Sequence, residues 1–349
     1  MSTVIVHALR PRQPRLVDSL ERPLRDLRLS VTDRCNFRCP YCMPGEQFHE
    51  QYHFLKSRER LSFDELLRLT RVFVELGVVK VRITGGEPLL RAGLPDLIVD
   101  LTTLPGAPDM ALTTNGVLLA QQAAALRAAG LKRVTVSLDS LDPAIFREMS
   151  GGYGTVEDVL NGIDAAQRAG LEPLKINTVV QRGVNDHTVL DLLERFRGTG
   201  IIVRFIEYMD VGNRNHWDRT RVVSAHELLE QVSARWPLRA LEPGYTGEVA
   251  KRYAYLDGAG EIGFIASVTQ PFCGDCTRAR LSSDGKLYTC LFAAEGADLR
   301  APLRAGASDA ELAALISAIW QRRADRYSEL REQLRARGVQ HVEMNHVGG

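Results

Sequence analysis

Two triplets of cysteine hold the chemistry this sequence can do. The first lies in the run Cys35-Asn36-Phe37-Arg38-Cys39-Pro40-Tyr41-Cys42, the second is Cys273, Cys276 and Cys290, and together they use all six cysteines of the chain. Three thiolates so spaced can grip one face of a metal cluster, but they fall one short of the four N or S ligands of a structural zinc site. Iron–sulfur cubanes are held by cysteine thiolates and can leave one iron open. Each triplet is therefore an incomplete site with room for a ligand from outside the protein. The competing reading is a zinc knot with His49 or His53 as an added ligand, although both read as surface residues.

Those cysteines must be held by the elements around them. Residues 27–208 repeat one grammar of short strand, polar turn, helix and glycine, with strands expected at 27–31, 79–83, 110–113, 133–138, 173–180 and 202–206. The clearest helix is expected over 63–76, where Ser62 and Glu65 form a capping box, Leu66, Leu69, Phe73 and Leu76 recur at helical spacing, and Gly77 stops the run. Strands alternating with helices lie parallel, joined by right-handed crossovers. Within the strands, Val81 and Ile83 alternate with Lys80, Arg82 and Thr84, Leu27 and Leu29 with Arg28 and Ser30, and Val203 and Phe205 with Arg204, while Lys175 and Asn177 share a face. A doubly wound sheet is buried on both faces and reads as continuous apolar runs. The alternation points instead to an α/β fold, a partial (β/α)6 TIM-like barrel with a wet, cationic lumen. Sites in such barrels sit at the C-terminal strand ends, where Thr84-Gly85-Gly86-Glu87-Pro88 and the first triplet both fall.

Past Trp217 the grammar changes. A helix at 225–232 and strands at 251–256 and 261–264 precede the second triplet, and Asp284-Gly285 signals a two-residue hairpin. Folding about that turn pairs Ser283 with Lys286 and sets Cys290 opposite Ala279. Residues 309–335 read as one helical stretch, and 340–349 as a polar tail closing on Gly348-Gly349. Three parts follow: a loose N-terminal arm at 1–24, the barrel at 25–217 with the first triplet, and a C-terminal α+β domain at 218–349 that closes the mouth and carries the second.

Composition sets outer bounds. The 349 residues are 45% hydrophobic and 25% charged, with a net charge of +1, so no global field argues for nucleic acid or membrane. No apolar run approaches the ~18 residues of a membrane span, and the Arg/Pro-punctuated N-terminus lacks the apolar core of a secretion signal. A cytoplasmic location is expected, whose reducing conditions disfavour disulfides. The expected assembly is a monomer or a homodimer.

The CxxxCxxC run with Tyr41 inside it, followed one βα unit later by Gly85-Gly86-Glu87-Pro88, resembles the radical S-adenosylmethionine superfamily. The resemblance implies a [4Fe-4S] cluster on Cys35, Cys39 and Cys42 whose open iron chelates S-adenosylmethionine. It implies cofactor contacts from Tyr41, Gly86, Glu87, Ser137, Asn177 and Met209. The second triplet with Arg278 and Arg280, the stretch from Pro23 to Asp33 and the terminal Gly348-Gly349 narrow the likeness to the GTP 3′,8-cyclase family. That implies a second [4Fe-4S] cluster on Cys273, Cys276 and Cys290 that meets the guanine edge of GTP. Arg28, Arg82, Thr113, Lys175, Arg204, Arg278 and Arg280 would bind the nucleotide, and the Gly348-Gly349 tail would reach into the site. The implied reaction removes hydrogen from C3′, bonds C3′ to C8 and gives 3′,8-cyclo-7,8-dihydro-GTP, with an external electron donor and a downstream cyclic pterin synthase as partners. Blander readings stand beside these. Glu87 could cap a strand end, Asp139 could order its turn, each arginine could pair with a nearby carboxylate, and His216, His226 and His341 read as surface or packing residues. Two alternatives remain: a peptide-modifying radical maturase with an auxiliary cluster, and a non-catalytic protein with two zinc sites.

Overall fold

Apolar residues at alternate strand positions set the architecture. The computed structural model describes residues 16–348. In it β1 (Asp26–Ser30), β2 (Lys80–Thr84), β3 (Asp109–Thr114), β4 (Arg133–Ser137), β5 (Lys175–Val180) and β6 (Ile202–Glu207) lie parallel in chain order. Helices α1 (Phe63–Glu75), α2 (Leu94–Thr102), α3 (Leu119–Ala128), α4 (Pro143–Met149), α5 (Val156–Arg168) and α6 (Val189–Phe196) return the chain between them. Leu27, Leu29, Val81, Ile83, Val136, Ile176 and Phe205 are buried in one core with Leu66, Leu69 and Phe73 of α1. The opposite face of the strands is left polar. The capping box at Ser62 is present, with Glu65 N donating to Ser62 Oγ at 3.1 Å and Ser62 N to Glu65 Oε2 at 2.7 Å.

The region beyond residue 217 does more than close the mouth. After α7 (Ala225–Arg235) come β7 (Leu238–Leu241), β8 (Lys251–Tyr255), β9 (Glu261–Ile265), β10 (Arg278–Leu281), β11 (Lys286–Tyr288) and β12 (Ala297–Asp298). β9 pairs in parallel with β6, and β10 in parallel with β1. Both flanks of the barrel sheet are thus supplied from the C-terminal part, giving a sheet of twelve strands in the order β12-β11-β10-β1-β2-β3-β4-β5-β6-β9-β8-β7. It is not closed, since β12 and β7 remain edges. Then follow α8 (Arg300–Arg304), α9 (Asp309–Gln321), α10 (Tyr327–Ala336) and α11 (Met344–Val347).

Three local expectations are corrected. The hairpin at Asp284-Gly285 pairs Leu281 with Leu287 and Arg280 with Tyr288. Its loop is therefore three residues, closed by Ser282 N to Lys286 O at 2.9 Å, with Gly285 at φ 83. That is the glycine-bulge form of a hairpin. The slip of one residue sets Cys290 in line with Arg278 rather than Ala279. The stretch 309–335 breaks into α9 and α10, and in the break Arg323 Nη1 donates to Cys276 O and Asp325 Oδ2 accepts from Thr289 Oγ1. Residues 16–24 of the expected loose arm are ordered and packed, with Val17 bridging Pro23 and Asp18 and Arg22 buried. Residues 1–15 of that arm lie outside the described residues.

Backbone contact aims the first cysteine loop. Gly86 N donates to Thr32 O at 2.8 Å and Glu87 N to Arg34 O at 2.7 Å. This approach explains the glycine pair. A Cβ on Gly85, at φ 154, would lie 2.6 Å from Thr32 O, and one on Gly86 would collide with the Arg34 carbonyl. Gly86→Ala is expected to cost about 1–3 kcal/mol in urea unfolding, whereas Gly274→Ala, whose Cβ meets open space, stays within about 0.5 kcal/mol.

Candidate active site

The first triplet sits on the loop that leaves β1. Cys42 N and Met43 N both donate to Cys39 O, at 2.9 and 2.8 Å, and turn the loop back on itself. Arg38 staples it from inside, with Nη1 on Cys35 O at 2.9 Å and Nε on Phe48 O at 2.7 Å. The three thiols are free and partly buried. Burial, then the charge of Glu87, pushes Cys35 up to about 12. Burial, then Cys42 and Cys35, raises Cys39, and burial, then Cys35, raises Cys42. The thiols thus crowd one another electrostatically, and a bound metal would relieve this by taking them as thiolates.

Side chains at the strand ends surround this loop. Tyr41 OH donates to Asp139 Oδ2 at 2.7 Å, and Val179 N donates to Asp139 Oδ1 at 2.9 Å. Burial lifts the Asp139 carboxyl to about 6 against those two bonds. Asp139 orders the tops of β4 and β5 and also fixes Tyr41. Glu87 is buried and accepts from Leu89 N at 3.0 Å, Thr114 Oγ1 at 2.8 Å and Asn115 N at 2.7 Å. Burial raises it to about 7 despite these donors. Its carboxylate therefore ties β2 to the end of β3, the capping role, while still facing the cavity. Asn115 is a residue the sequence reading missed: its Nδ2 lies 2.7 Å from Asn36 Oδ1 and 4.0 Å from Cys35 Sγ. Its place in a Thr-Thr-Asn-Gly strand-end turn was the available signal.

The second triplet shares one cavity of about 340 Å³ with the first, lined by all six cysteines. It is also lined by Tyr41, Gly86, Glu87, Ser137, Asn177 and Met209, and by Arg28, Arg82, Thr113, Arg204, Arg278 and Arg280. Lys175, two residues before Asn177 on the same face of β5, does not line it. Burial opposes ionisation of Cys276, yet Arg278 and Arg323 outweigh it and bring the thiol down to about 6. Burial, then Asp325, lifts Cys290 to about 11. Among the described residues no three His, Cys, Asp or Glu converge as a single-ion site, and His49 and His53 are exposed.

A wall of like charge fills the lumen. Arg82 Nη1 donates to Thr113 Oγ1 at 3.0 Å and Thr135 Oγ1 at 3.1 Å, and Arg278 Nη2 to Cys276 Sγ at 3.5 Å. Among the described residues none of Arg82, Arg204, Arg278 and Arg280 forms an ion pair. Burial, then Arg82, pulls Arg204 down to about 9; burial, then Arg278, pulls Arg280 down to about 10; burial, then Arg204, pulls Lys175 down to about 8. The carboxylate-pairing reading fails for these four arginines. Arg204 Nε, Arg280 Nε, Asn177 Oδ1, Thr84 Oγ1 and Asn345 Oδ1 are buried without a hydrogen-bond partner. Free thiols, unpaired polar atoms and uncompensated cations around one cavity fit clusters, a zwitterionic cofactor and a polyanion.

The tail reaches the same place. α11 is inserted so that Val347 is buried, Asn345 Nδ2 donates to Asp33 O at 3.1 Å, and His346 Nε2 stands 3.0 Å from Asp284 Oδ1. A Cβ on Gly348 would collide with the Thr84 hydroxyl. The loop after β6 clasps it, with Asn213 N on Glu343 Oε1 at 3.1 Å and His341 N on Asn213 Oδ1 at 2.8 Å. His341 is buried between Phe292 O and Tyr327 OH, at 2.8 and 3.0 Å, a packing role, and His216 and His226 are exposed. Gly349 lies outside the described residues.

Comparison with known proteins places this geometry. The Radical SAM superfamily profile matches residues 29–196, and Molybdenum Cofactor Synthesis C matches residues 201–329. GTP 3′,8-cyclase of Xanthomonas axonopodis pv. citri (strain 306) is 58% identical over 332 residues, covering 95% of this chain and 98% of its own length. GTP 3′,8-cyclase of Staphylococcus aureus (strain MRSA252) is 48% identical over 335 residues, again 95% and 98%. The chain belongs to the GTP 3′,8-cyclase family. Among solved structures, Streptococcus suis SuiB superposes with a TM-score of 0.57 at 15% identity, over 89% of this chain and 68% of its own. Its S-adenosylmethionine complex gives 0.50 at 18%, over 61% and 48%. At that identity the likeness is one of fold.

The cationic wall yields a prediction with opposite signs. Arg204→Met removes a buried unpaired charge, so the nucleotide-free protein should gain about 1–2 kcal/mol in thermal unfolding. The same variant should bind GTP at least about tenfold more weakly, a loss of about 1.4 kcal/mol, measured by equilibrium dialysis.

Proposed function

We propose that this chain cyclises GTP to (8S)-3′,8-cyclo-7,8-dihydroguanosine 5′-triphosphate, an early step of molybdenum cofactor biosynthesis. The observation that carries the reading is one cavity lined by both cysteine triplets and by guanidinium groups that have no carboxylate partner among the described residues. When bound, a reduced cluster with S-adenosylmethionine supplies a 5′-deoxyadenosyl radical able to take hydrogen from an unactivated C–H bond. The chain's part is to position and to shield. Cys35, Cys39 and Cys42 would hold the first [4Fe-4S] cluster. Tyr41, Gly86, Glu87, Ser137, Asn177 and the Met209 backbone would seat the cofactor. Cys273, Cys276 and Cys290 would hold a second cluster facing the guanine. Arg28, Arg82, Arg204, Arg278 and Arg280 would neutralise the triphosphate, for which bidentate guanidinium donors suit the oxygen geometry, and the Thr113 hydroxyl would contact the nucleotide beside them. Lys175, whose charge is felt with that of Arg204, would add to the positive field. The barrel at 25–217 would thus carry radical generation, and residues 218–349 substrate binding and the tail.

An external reductant is required, and the product would pass to a cyclic pterin synthase. A peptide-modifying maturase has little support, because no cysteines remain for a further cluster and a peptide gives no reason for the arginine wall. The deciding experiment is anaerobic incubation with reductant, S-adenosylmethionine and nucleotide. Release of 5′-deoxyadenosine with GTP but not ATP is expected; equal release with both nucleotides would overturn the substrate assignment.

The inserted tail supports a second expectation. Deleting Gly348 and Gly349 should leave the uncoupled cleavage of S-adenosylmethionine intact while cyclised product falls by at least about tenfold. Undiminished product, measured chromatographically, would remove the tail from the site.

A further inference from the structure

The second triplet lacks the regular scaffold that holds the first. Cys273 lies in a short turn before β10, and Cys290 follows β11. What joins them is a buried cluster of charge from two distant segments. Arg22 Nη1 donates to Cys273 O at 2.7 Å and to Asp325 O at 2.8 Å. Arg323 Nη1 donates to Cys276 O at 2.7 Å, and its Nε to Thr289 O at 3.0 Å. Thr289 immediately precedes Cys290, so the backbone at or beside all three cysteines ends on two guanidinium groups. One carboxylate pairs with both: Asp18 Oδ2 lies 2.6 Å from Arg22 Nε and 3.0 Å from Arg323 Nη1. Asp18 is 3% exposed, Arg22 2% and Arg323 4%.

Such a cluster is a costly way to glue a core, since well-packed apolar residues often serve as well or better. Its anchor points explain why charge is used here. A guanidinium presents several donors in a fixed fork, which lets one side chain hold carbonyls from separate segments in one geometry. Arg22 Nη2 is also buried without a partner, and Arg22 lines the cavity.

We propose that Asp18, Arg22 and Arg323 form a clamp that presets the ligand positions of the second triplet, and that Arg22 Nη2 donates a hydrogen bond to the group held there. These are positioning residues, and the inference rests on the reading that this triplet holds a cluster. Hydrogen bonds to cluster sulfurs are among the factors that set reduction potential, so the clamp should tune the second centre as well as shape it.

The test uses the full chain, reconstituted anaerobically with iron and sulfide. Asp18→Asn should bind about four irons in place of about eight, while still cleaving S-adenosylmethionine without GTP through the first triplet. Arg22→Gln keeps the Asp18–Arg323 pair and serves if Asp18→Asn fails to fold. In a Cys35→Ser, Cys39→Ser, Cys42→Ser background, where only the second centre remains, Arg22→Gln should shift its electron paramagnetic resonance g-values and lower its midpoint potential, and Arg22→Lys should not restore them. An unaltered spectrum and potential in Arg22→Gln would overturn the clamp. A Cys273→Ser, Cys276→Ser, Cys290→Ser control separates the two levels of the argument. If this variant keeps the parent's full iron content, the cluster reading and the clamp fall together. If it loses iron while Asp18→Asn and Arg22→Gln retain both iron and spectrum, only the clamp falls.

Discussion

Uncompensated positive charge in a buried lumen is the constraint around which this molecule is built. Holding unpaired guanidinium groups out of bulk water costs on the order of several kcal/mol for each ion. Arg82, Arg204 and Arg280 carry that cost without a carboxylate partner among the described residues, while Arg278 is offset by the Cys276 thiol beside it. Such a set can persist only on a scaffold that over-determines it. The parallel strands provide this by packing Val81, Val203 and Leu281 into the core while their neighbours Arg82, Arg204 and Arg280 are turned inward. A strand cannot bury one without presenting the other.

The scaffold is stiffest where the chemistry needs it. The first cysteine loop is pinned by main-chain bonds from Gly86 and Glu87, by the Arg38 staple, and by strand-end side chains such as Asp139 and Asn115. The second is pinned by Arg22 and Arg323. These two solutions differ because their settings differ. At the first, neighbouring parallel strands bring backbone amides close enough to bond, provided glycine leaves room. At the second, a hairpin edge and a turn must be joined, and long charged side chains span what the backbone cannot. The tail then links both sides, through Asp33 near the first triplet and Asp284 in the hairpin of the second.

Much of this was legible in the chain. The six strands, the capping box at Ser62 and the inward set of cations followed from period-two and helical patterning. The cysteine spacing named the two incomplete sites. What went unread has physical reasons. The hairpin register turned on whether Gly285 sits in a two- or three-residue loop, and Asp-Gly is compatible with both. The helical pattern over 309–335 was real, but the break at 322–326, where Arg323 bonds Cys276 O and Thr289 O, rests on contacts far away in sequence, and propensity is a weak prior that tertiary context overrides. Asp18 and Arg22 sit in an Arg/Pro-rich stretch whose local signals all favour a loose arm.

Local pattern and residue chemistry were enough by themselves to determine the barrel strands, the polarity of the lumen and the grouping of the cysteines into two triplets, because each depends on near neighbours in sequence. Only the tertiary structure decided which groups share the cavity. It set β9 and β10 as the flanks of the barrel sheet, brought residues 18 and 323 together on the second triplet, and sent the tail to Thr84. Contacts between residues hundreds of positions apart are selected by the packing of the whole core and by the need to pair or expose every buried charge. No local stretch of the chain carries that information.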